Sequence, residues 1–259
     1  MQQPAYLTIS VDDGYPLDLR AAELLDRHGL KATFYVPATN PEYEVMTKEQ
    51  VRQLSQRFEI GGHSYHHMTL TLLPDDQARA DILDGKHWVE DVTGLPVRAF
   101  CYPQGKFTAR IVDWVKEAGF IGARTCFFNR TEMPRDLYRC GVSTHTHNHS
   151  VLIQARHALL EGNFKGLVDF FRVHRAEQDW EAHFRHAVAA VEHHGGVAHL
   201  YFHTWEIDQQ RDWGKLARVL EYAASRKQLT RVTNGELFAL CRSRMSTAGN
   251  ISADRSAVG

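Results

Sequence analysis

The sequence predicts a single-domain α/β protein whose parallel strands close, or nearly close, into a barrel. Three observations support this prediction. The chain has 259 residues, a length at which α/β barrels commonly form one domain. Strand-like and helical segments alternate about seven times, as a parallel sheet requires. Polar residues follow several of the strands, and such barrels carry their functional residues at the carboxyl ends of strands.

The predicted elements alternate regularly through the first half of the chain. Residues 5–12 alternate apolar and polar side chains, as a strand does, and the helix after them ends near Gly29. The further strands of this half are predicted at 32–36, 59–62, 97–102 and 120–124. The helices between them are predicted at 48–58, 75–93 and 107–118.

The alternation stops at about residue 125, so we expect an insertion or an elaborated loop over about 125–175. The elements expected after it are a helix at 180–194, a strand at 197–203, a helix at 213–223, a strand at 229–232 and a last helix capped by Asn234. The barrel domain is predicted to span 1–242, and the polar residues 243–259 to be a disordered tail.

Composition excludes some classes of function. The 30 Lys and Arg residues balance 31 Asp and Glu residues, so the chain is not a generally basic nucleic-acid binder. The four cysteines form no CxxC pair, and we expect buried free thiols. No signal peptide and no apolar run of membrane-spanning length is evident, so we expect a cytoplasmic protein.

Two adjacent carboxylates end the first predicted strand, in Ser10-Val11-Asp12-Asp13-Gly14. Like charges side by side repel, and a bound cation or a shared proton relieves the repulsion. Gly14 permits the sharp turn that would direct both side chains to one site. The alternative is a turn in which an aspartate caps the following helix.

Histidines follow the third predicted strand, in residues 61–67. His63 and His67 are four residues apart, which places both imidazoles on one side of a helical turn, and His66 offers an alternative. Two histidines and one carboxylate leave open positions for water and substrate at a metal ion. His203 ends a later strand at the same predicted edge, which suits a general acid.

A second group of histidines alternates along the chain. On an extended segment His145, His147 and His149 would share one face. They indicate a second metal site, residues that line a substrate cleft, or a plain polar loop. The aromatic and basic stretch at 164–174 indicates either contact with a lipid carrier or a helix packed on the barrel.

Together these segments resemble the polysaccharide deacetylase family, the NodB-homology group also called carbohydrate esterase family four. Its first motif is similar to residues 10–14, and its second, H-[ST]-x-x-H, to residues 63–67. Its third motif is similar to residues 100–105, and its last to Leu200–His203. The resemblance covers about residues 5–240 and implies a distorted (β/α) barrel with seven parallel strands.

The resemblance implies a role for each matched residue. Asp12 would be the catalytic base and His203 the catalytic acid. One divalent metal ion would be bound by Asp13, His63 and His67. Zinc is the usual ion, with cobalt or nickel as alternatives.

Supporting residues match the family less completely. Ser64 is implied to hold the histidine loop by a hydrogen bond. A backbone N–H near Tyr102 is a candidate for holding the oxyanion of the reaction. The arginine that orients Asp12 is either Arg98 or Arg124.

The family's Asp-x-x-Asp-Trp motif is not evident, which leaves the partner of the last motif's histidine open. Glu206 or Asp208 is expected to take that place. His199 and Tyr201 occupy positions that are usually leucine in the acyl pocket. The extension that begins at Trp205 resembles a bacterial subgroup associated with surface-polysaccharide synthesis.

The expected function is therefore metal-dependent hydrolysis of an N-acetyl or N-formyl group on a carbohydrate. The expected substrate is a nucleotide-linked or lipid-linked sugar precursor of surface polysaccharide. The alternatives are hydrolysis of a non-sugar amide, and a catalytically silent carbohydrate-binding protein on the same fold. A silent protein needs neither a base nor an acid, whereas this sequence offers both.

Overall fold

The computed structural model describes the backbone of residues 3–256 and the side chains of residues 3–246. Within these residues eight parallel strands form one sheet. They are β1 (Ala5–Asp12), β2 (Thr33–Val36), β3 (Glu59–Gly62), β4 (Ala99–Cys101), β5 (Gly122–Arg124), β6 (Thr144–His145), β7 (Gly196–His203) and β8 (Thr230–Arg231). The helices are α1 (Asp18–Arg27), α2 (Lys48–Ser55), α3 (Asp75–Thr93), α4 (Ala109–Glu117), α5 (Val151–Glu161), α6 (Phe164–Arg172), α7 (Trp180–His194), α8 (Thr204–Gln209), α9 (Trp213–Ser225) and α10 (Asn234–Ser256).

The sheet runs in the order β5-β4-β3-β2-β1-β7-β6, and β8 pairs with the beginning of β1. It curls into a half-barrel with helices around it, which confirms the predicted α/β barrel class. The pairing of β1 with β7 extends from Ala5 opposite Gly196 to Asp12 opposite His203. Two predicted site residues are therefore register neighbours at the same edge of the sheet.

Strand β1 is buried on both faces, as central parallel strands are. Leu7, Ile9 and Val11 belong to the main hydrophobic core that the strands share with the surrounding helices. On the opposite face, the Thr8 hydroxyl donates to the Asn234 side chain and Ser10 Oγ lies 2.9 Å from His199 Nε2. The interior of the half-barrel is therefore hydrogen-bonded and polar below the carboxyl ends of the strands.

The segment predicted as an insertion contains three regular elements. Strand β6 was not predicted, because its two residues are too few to show a periodicity. Helix α5 was not predicted either. Helix α6 lies within the stretch 164–174, for which a packed helix was one of the two interpretations.

The last helix is longer than the sequence predicts. Helix α10 continues to Ser256, so residues 243–256 are helical where we expected a disordered tail. Adding one residue to an existing helix costs far less free energy than nucleating a new helix. Helix α10 can therefore continue through a segment whose apolar periodicity is weak. Residues 257–259 lie outside the described residues, and the domain boundaries stay a prediction.

None of the described helices has the length and apolar character needed to cross a bilayer.

Candidate active site

The predicted site residues meet at the carboxyl ends of the strands, around a cavity of about 340 Å³. Asp12, His63 and His203 lie at or just beyond the ends of β1, β3 and β7. Parallel strands bring all these ends to one edge, so residues far apart in sequence share one cavity. The volume lies in the range of about 300–1,000 Å³ that is usual for small-molecule pockets.

Asp13, His63 and His67 form a compact buried group. Asp13 Oδ1 lies 3.4 Å from His63 Nε2 and 3.1 Å from His67 Nε2, and all three side chains are nearly inaccessible to solvent. His63 Nδ1 lies 2.8 Å from the Cys101 carbonyl oxygen, so it carries the proton and leaves the Nε2 lone pair directed at Asp13. This donor set suits a divalent cation such as zinc.

The backbone around this group adopts conformations that L residues rarely take. Asp13, Ser64 and His67 have φ angles of 78°, 61° and 54°. Such residues persist only where the surrounding structure holds them, and they cluster at functional sites. Part of that support is the hydrogen bond from the His67 N–H to Ser64 Oγ at 3.1 Å, the contact expected of Ser64.

Two alternative metal groups fit less well. The His66 side chain is 59% exposed and its Nδ1 lies against Asp81, away from the cavity, which contradicts the His66 alternative. Asp12, His63 and Cys101 also lie within reach of one another. Burial raises the pKa of the Cys101 thiol well above its usual value, which keeps it neutral and makes it a poor ligand.

Asp12 is held by Arg124, and the Arg98 alternative is contradicted. The Arg124 guanidinium forms an ion pair with Asp12 Oδ2, with both side chains almost completely buried. Arg98 is exposed and precedes β4, at the opposite edge of the sheet from Asp12. Asp12 Oδ1 has no hydrogen-bond partner among the described residues, so it is the oxygen available to accept a proton.

Both aspartates are ionised in this environment. Burial by itself raises the pKa of Asp12, but electrostatic interactions with Arg124, His63 and His203 outweigh burial and lower it below its usual value. Burial also raises the pKa of Asp13. Interactions with His203, His63 and His67 outweigh this effect and hold the pKa of Asp13 well below its usual value. The paired negative charge predicted from the Asp-Asp sequence is therefore neutralised by cationic and hydrogen-bonding neighbours.

Glu206 is the acidic partner of His203. His203 Nδ1 and His145 Nε2 both donate to Glu206 Oε2, at 2.6 and 2.7 Å. Asp208 instead accepts a hydrogen bond from the Trp213 indole at 2.9 Å, which contradicts the Asp208 alternative.

The protonated form of His203 is favoured. Burial lowers its pKa, but Asp13, Glu206 and Asp12 together raise the pKa of His203 to about 9. Its Nε2 lies 3.9 Å from both Asp12 Oδ2 and Asp13 Oδ2, so the Nε2 proton is directed into the cavity. A charged imidazole that faces the cavity can donate a proton there.

The alternating histidines divide into two groups. The rings of His145, His147 and His149 lie within 6.0 Å of one another, as residues on one face would. His145 and His149 line the cavity, which supports the cleft interpretation for these two. His147 is half-exposed and contacts Gln210 at 3.0 Å.

Trp205 and Tyr102 take different positions around the cavity. The Trp205 indole donates to Asp13 Oδ2 at 2.8 Å and stacks on Tyr43 with ring centroids 4.5 Å apart. The Tyr102 N–H donates to the Arg124 carbonyl at 3.3 Å, so that particular N–H is engaged and not free for an oxyanion. The buried Tyr102 hydroxyl donates to the Tyr138 carbonyl at 3.0 Å.

Several cavity residues were not predicted from the sequence. Phe128, His157 and Glu161 come from the inserted segment, and Tyr43 comes from the loop after β2 and packs on Trp205 at the cavity. None of them lies directly at the end of a predicted strand or belongs to a spaced motif. The one available signal was the pairing of His157 and Glu161 at i and i+4, which puts them on one face of α5.

Comparison with known proteins finds a family model that matches part of the chain. The model described as polysaccharide deacetylase matches residues 2–123, a range that contains Asp12, Asp13, His63 and His67. A peptidoglycan-N-acetylglucosamine deacetylase of Bacillus cereus is 29% identical over 140 residues, which cover 53% of this chain and 63% of that protein. The chain spans less than two thirds of the length of the curated relatives it matches.

Solved structures share the fold at low identity. The Xyl-CE4 domain of a multidomain xylanase from the hindgut metagenome of Trinervitermes trinervoides has a TM-score of 0.57 at 14% identity, covering 92% of this chain and 91% of that chain. A CE4 family pseudoenzyme from Bacillus anthracis has a TM-score of 0.51 at 15% identity, covering 86% and 63%. At such identities the likeness shows the fold alone.

Proposed function

We propose that the chain is a metal-dependent hydrolase that removes an N-acetyl or N-formyl group from a sugar, as the match of residues 2–123 to the polysaccharide deacetylase model supports. The observation that carries the proposal is the arrangement of five side chains around one cavity. Asp13, His63 and His67 converge on one point, with the free oxygen of Asp12 and the Nε2 of His203 beside them.

The three converging residues would hold one divalent cation, and zinc suits their two imidazoles and one carboxylate best. Bound there, the cation would act as a Lewis acid on the amide carbonyl and would make water easier to deprotonate. The Nδ1 proton of His63, held by the Cys101 carbonyl, keeps the ligating nitrogen correctly oriented.

Asp12 and His203 would carry the two proton transfers. Asp12 Oδ1 removes a proton from water as its oxygen attacks the amide carbon, and Arg124 keeps Oδ2 in place during the transfer. The carbon–nitrogen bond then breaks, and His203 Nε2 gives its proton to the leaving nitrogen. The products are acetate or formate and a free amine on the sugar.

The cavity supports a sugar as substrate. The Tyr43–Trp205 stack offers an aromatic surface beside Asp13, and acidic and imidazole groups line the other walls. The proposed substrate is a nucleotide-linked or lipid-linked sugar precursor of surface polysaccharide. A non-sugar amide is the alternative substrate.

Variants of the proposed acid and base test this function. We expect Asp12→Asn and His203→Ala to retain metal but to lose turnover by about 10²–10⁴-fold, since each removes one proton transfer. His63→Ala should lose metal as well. Metal content by elemental analysis and acetate or formate release from a panel of nucleotide sugars are the measurements.

A carbohydrate-binding protein without catalysis is the second candidate, because one structural neighbour is described as a pseudoenzyme. That candidate predicts glycan binding without acyl release in the wild-type protein. Wild-type turnover in Asp12→Asn or His203→Ala would reject the proposed roles of these residues.

A further inference from the structure

Helices α5 and α6 expose an unusual amount of apolar surface. Fourteen large hydrophobic residues of the described chain are exposed, and eight of them lie on these two short helices. The most exposed of the eight are Leu152 at 78%, Leu160 at 70%, Leu159 at 63% and Phe164 at 60%. The full set is Val151, Leu152, Ile153, Leu159, Leu160, Phe164, Val168 and Phe171. Contiguous apolar patches of this kind mark interaction surfaces rather than ordinary protein surface.

Apart from Phe170, the buried residues on the inner sides of the two helices are small or polar. In α5 the buried residues are Gln154 and Ala158, and in α6 they are Gly166, Asp169 and Phe170. Gln154 accepts a hydrogen bond from the Asn129 side chain at 3.1 Å, which anchors α5. The apolar residues therefore point outward because the inner sides are already held by other contacts.

The charges on the two helices are sorted by exposure. Arg156, Lys165 and Arg172 are exposed, whereas Glu161 and Asp169 are drawn inward. Asp169 is buried and pairs with Lys165, and Glu161 pairs with His157. The outward surface of the pair is therefore apolar with a basic fringe, which is the composition of helices that lie in a bilayer interface.

We propose that the surface formed by α5 and α6 docks on the interface of an anionic lipid bilayer. The apolar side chains would enter the boundary between headgroups and acyl chains, while Arg156, Lys165 and Arg172 would contact anionic headgroups. A second copy of this chain fits the surface less well. A symmetric contact would bring the three cations of each copy into one interface, six positive charges in all.

The surface adjoins the catalytic cavity. His157 and Glu161 of α5 line that cavity, while Leu159 and Leu160 of the same helix are exposed. A docked molecule would hold the mouth of the cavity close to the headgroups. This selects a lipid-linked sugar over a nucleotide-linked one, a consequence that rests on the proposed function.

Vesicle sedimentation tests the docking without reference to activity. The full chain is mixed with vesicles of phosphatidylcholine alone and with vesicles that also contain a minority of phosphatidylglycerol. We expect the protein to pellet with the anionic vesicles and to be released as salt rises from ~0.1 M to ~1 M, because the Debye length falls from ~10 Å to ~3 Å.

Variants separate the apolar and the basic contributions. The triple variant Leu152→Ser, Leu160→Ser and Phe164→Ser should bind anionic vesicles at least about tenfold more weakly. Arg156→Gln with Arg172→Gln should weaken binding to anionic vesicles by about tenfold or more and leave the weak binding to neutral vesicles unchanged. Leu72→Ser, at a leucine that is 81% exposed outside this surface, is the matched control and should bind like wild type.

Each other outcome overturns the docking. If wild-type protein stays in the supernatant with anionic vesicles, docking on lipid is excluded. If light scattering shows a wild-type dimer and the triple variant is a monomer, the surface binds a second copy instead. Equal binding by the triple variant and wild type would place the lipid contact elsewhere. Hydrolysis of a lipid-linked sugar dispersed in detergent without vesicles, assayed in parallel, reports on the proposed function independently and should be the same in the triple variant and wild type.

Discussion

Asp12 depends on one residue that is 112 positions away in the chain. Arg124 is completely buried and its guanidinium also lies over the Tyr201 ring, 4.4 Å from the centroid. The pair holds one carboxylate oxygen and leaves the other, which is also buried, without a hydrogen-bond partner among the described residues. A buried charge is tolerated only because its partner is buried with it.

Removing that partner is expected to destabilise the whole protein. Arg124→Gln should lower the free energy of unfolding by about 3–5 kcal/mol, because it removes the nearest countercharge of the buried Asp12 carboxylate. Urea denaturation at neutral pH measures the change. Arg98→Gln, at an exposed arginine of the preceding strand region, is the control and should change stability by less than about 0.5 kcal/mol. Equal losses for the two variants would contradict the assignment of Arg124.

Glu206 links two imidazoles through a single oxygen. Burial raises its pKa, but hydrogen bonds from His145 and His203 hold the pKa of Glu206 well below its usual value. Burial lowers the pKa of His145, so this imidazole is the neutral member of the group. His145 therefore positions Glu206, and Glu206 keeps the charge on His203.

At the scale of elements, helix α3 supports the loop that carries the predicted metal ligands. Asp81 of α3 accepts hydrogen bonds from the Tyr65 N–H on its carbonyl and from the His66 N–H on its carboxylate, at 2.9 and 3.2 Å. Gly85, one turn later, lies directly against the backbone of Ser64. A Cβ atom at that position would lie 2.6 Å from the Ser64 carbonyl oxygen and 2.7 Å from the Tyr65 nitrogen.

Gly85→Ala should therefore displace the histidine loop. We expect metal affinity to fall by about 10–100-fold, as it does when groups that orient metal ligands are disturbed. Titration calorimetry with zinc measures this change. Replacing glycine by alanine within a helix otherwise stabilises a protein. The matched control is Gly214→Ala in α9, because the new methyl group there meets nothing closer than 4.0 Å. Unchanged zinc affinity in Gly85→Ala would show that the loop does not depend on α3.

At the scale of the whole molecule, histidine has a structural as well as a catalytic use. The chain contains 16 histidines, and His174, His183 and His199 are buried away from the proposed metal ligands. Burial lowers the pKa of His174 to about 4 and that of His199 to about 3, and it lowers the pKa of His183 well below its usual value. His174 and His183 stack with ring centroids 3.7 Å apart.

These buried histidines predict a steep loss of stability in acid. Each is neutral in the folded protein and has a pKa of about 6.5 when unfolded, so the unfolded chain binds more protons below that pH. The free energy of unfolding therefore has its full value above about pH 6.5 and falls as the pH approaches the pKa values of the folded protein. At pH 5 the expected loss is about 2 kcal/mol per histidine. Urea denaturation at pH 7 and pH 5 measures the loss.

Two variants make this prediction specific. His174→Gln should reduce the number of protons taken up on unfolding at acidic pH by about one, because it removes one group whose pKa differs between the folded and unfolded states. His193→Gln, at an exposed position near the end of α7, should leave the pH dependence unchanged. Stability that does not differ between pH 7 and pH 5 in the wild-type protein would contradict the role of the buried histidines.

The sequence by itself predicted the elements with a clear local pattern and the residues at their ends. Strand β1 alternates apolar and polar residues, and Asp12 and Asp13 mark its end. His63 and His67 could be paired because their spacing is short. Strand β6 could not be predicted, because two residues show no period, and the continuation of α10 has only weak local signals.

Tertiary structure alone decided which distant residues meet. Arg124 rather than Arg98 pairs with Asp12, and Glu206 accepts from His145, because the curl of the sheet determines which side chains face the same cavity. The outward apolar surface of α5 and α6 is likewise visible only once their inner contacts are known. Local sequence pattern reports which face of an element is apolar, whereas contacts between residues more than a hundred positions apart depend on how all the elements pack together.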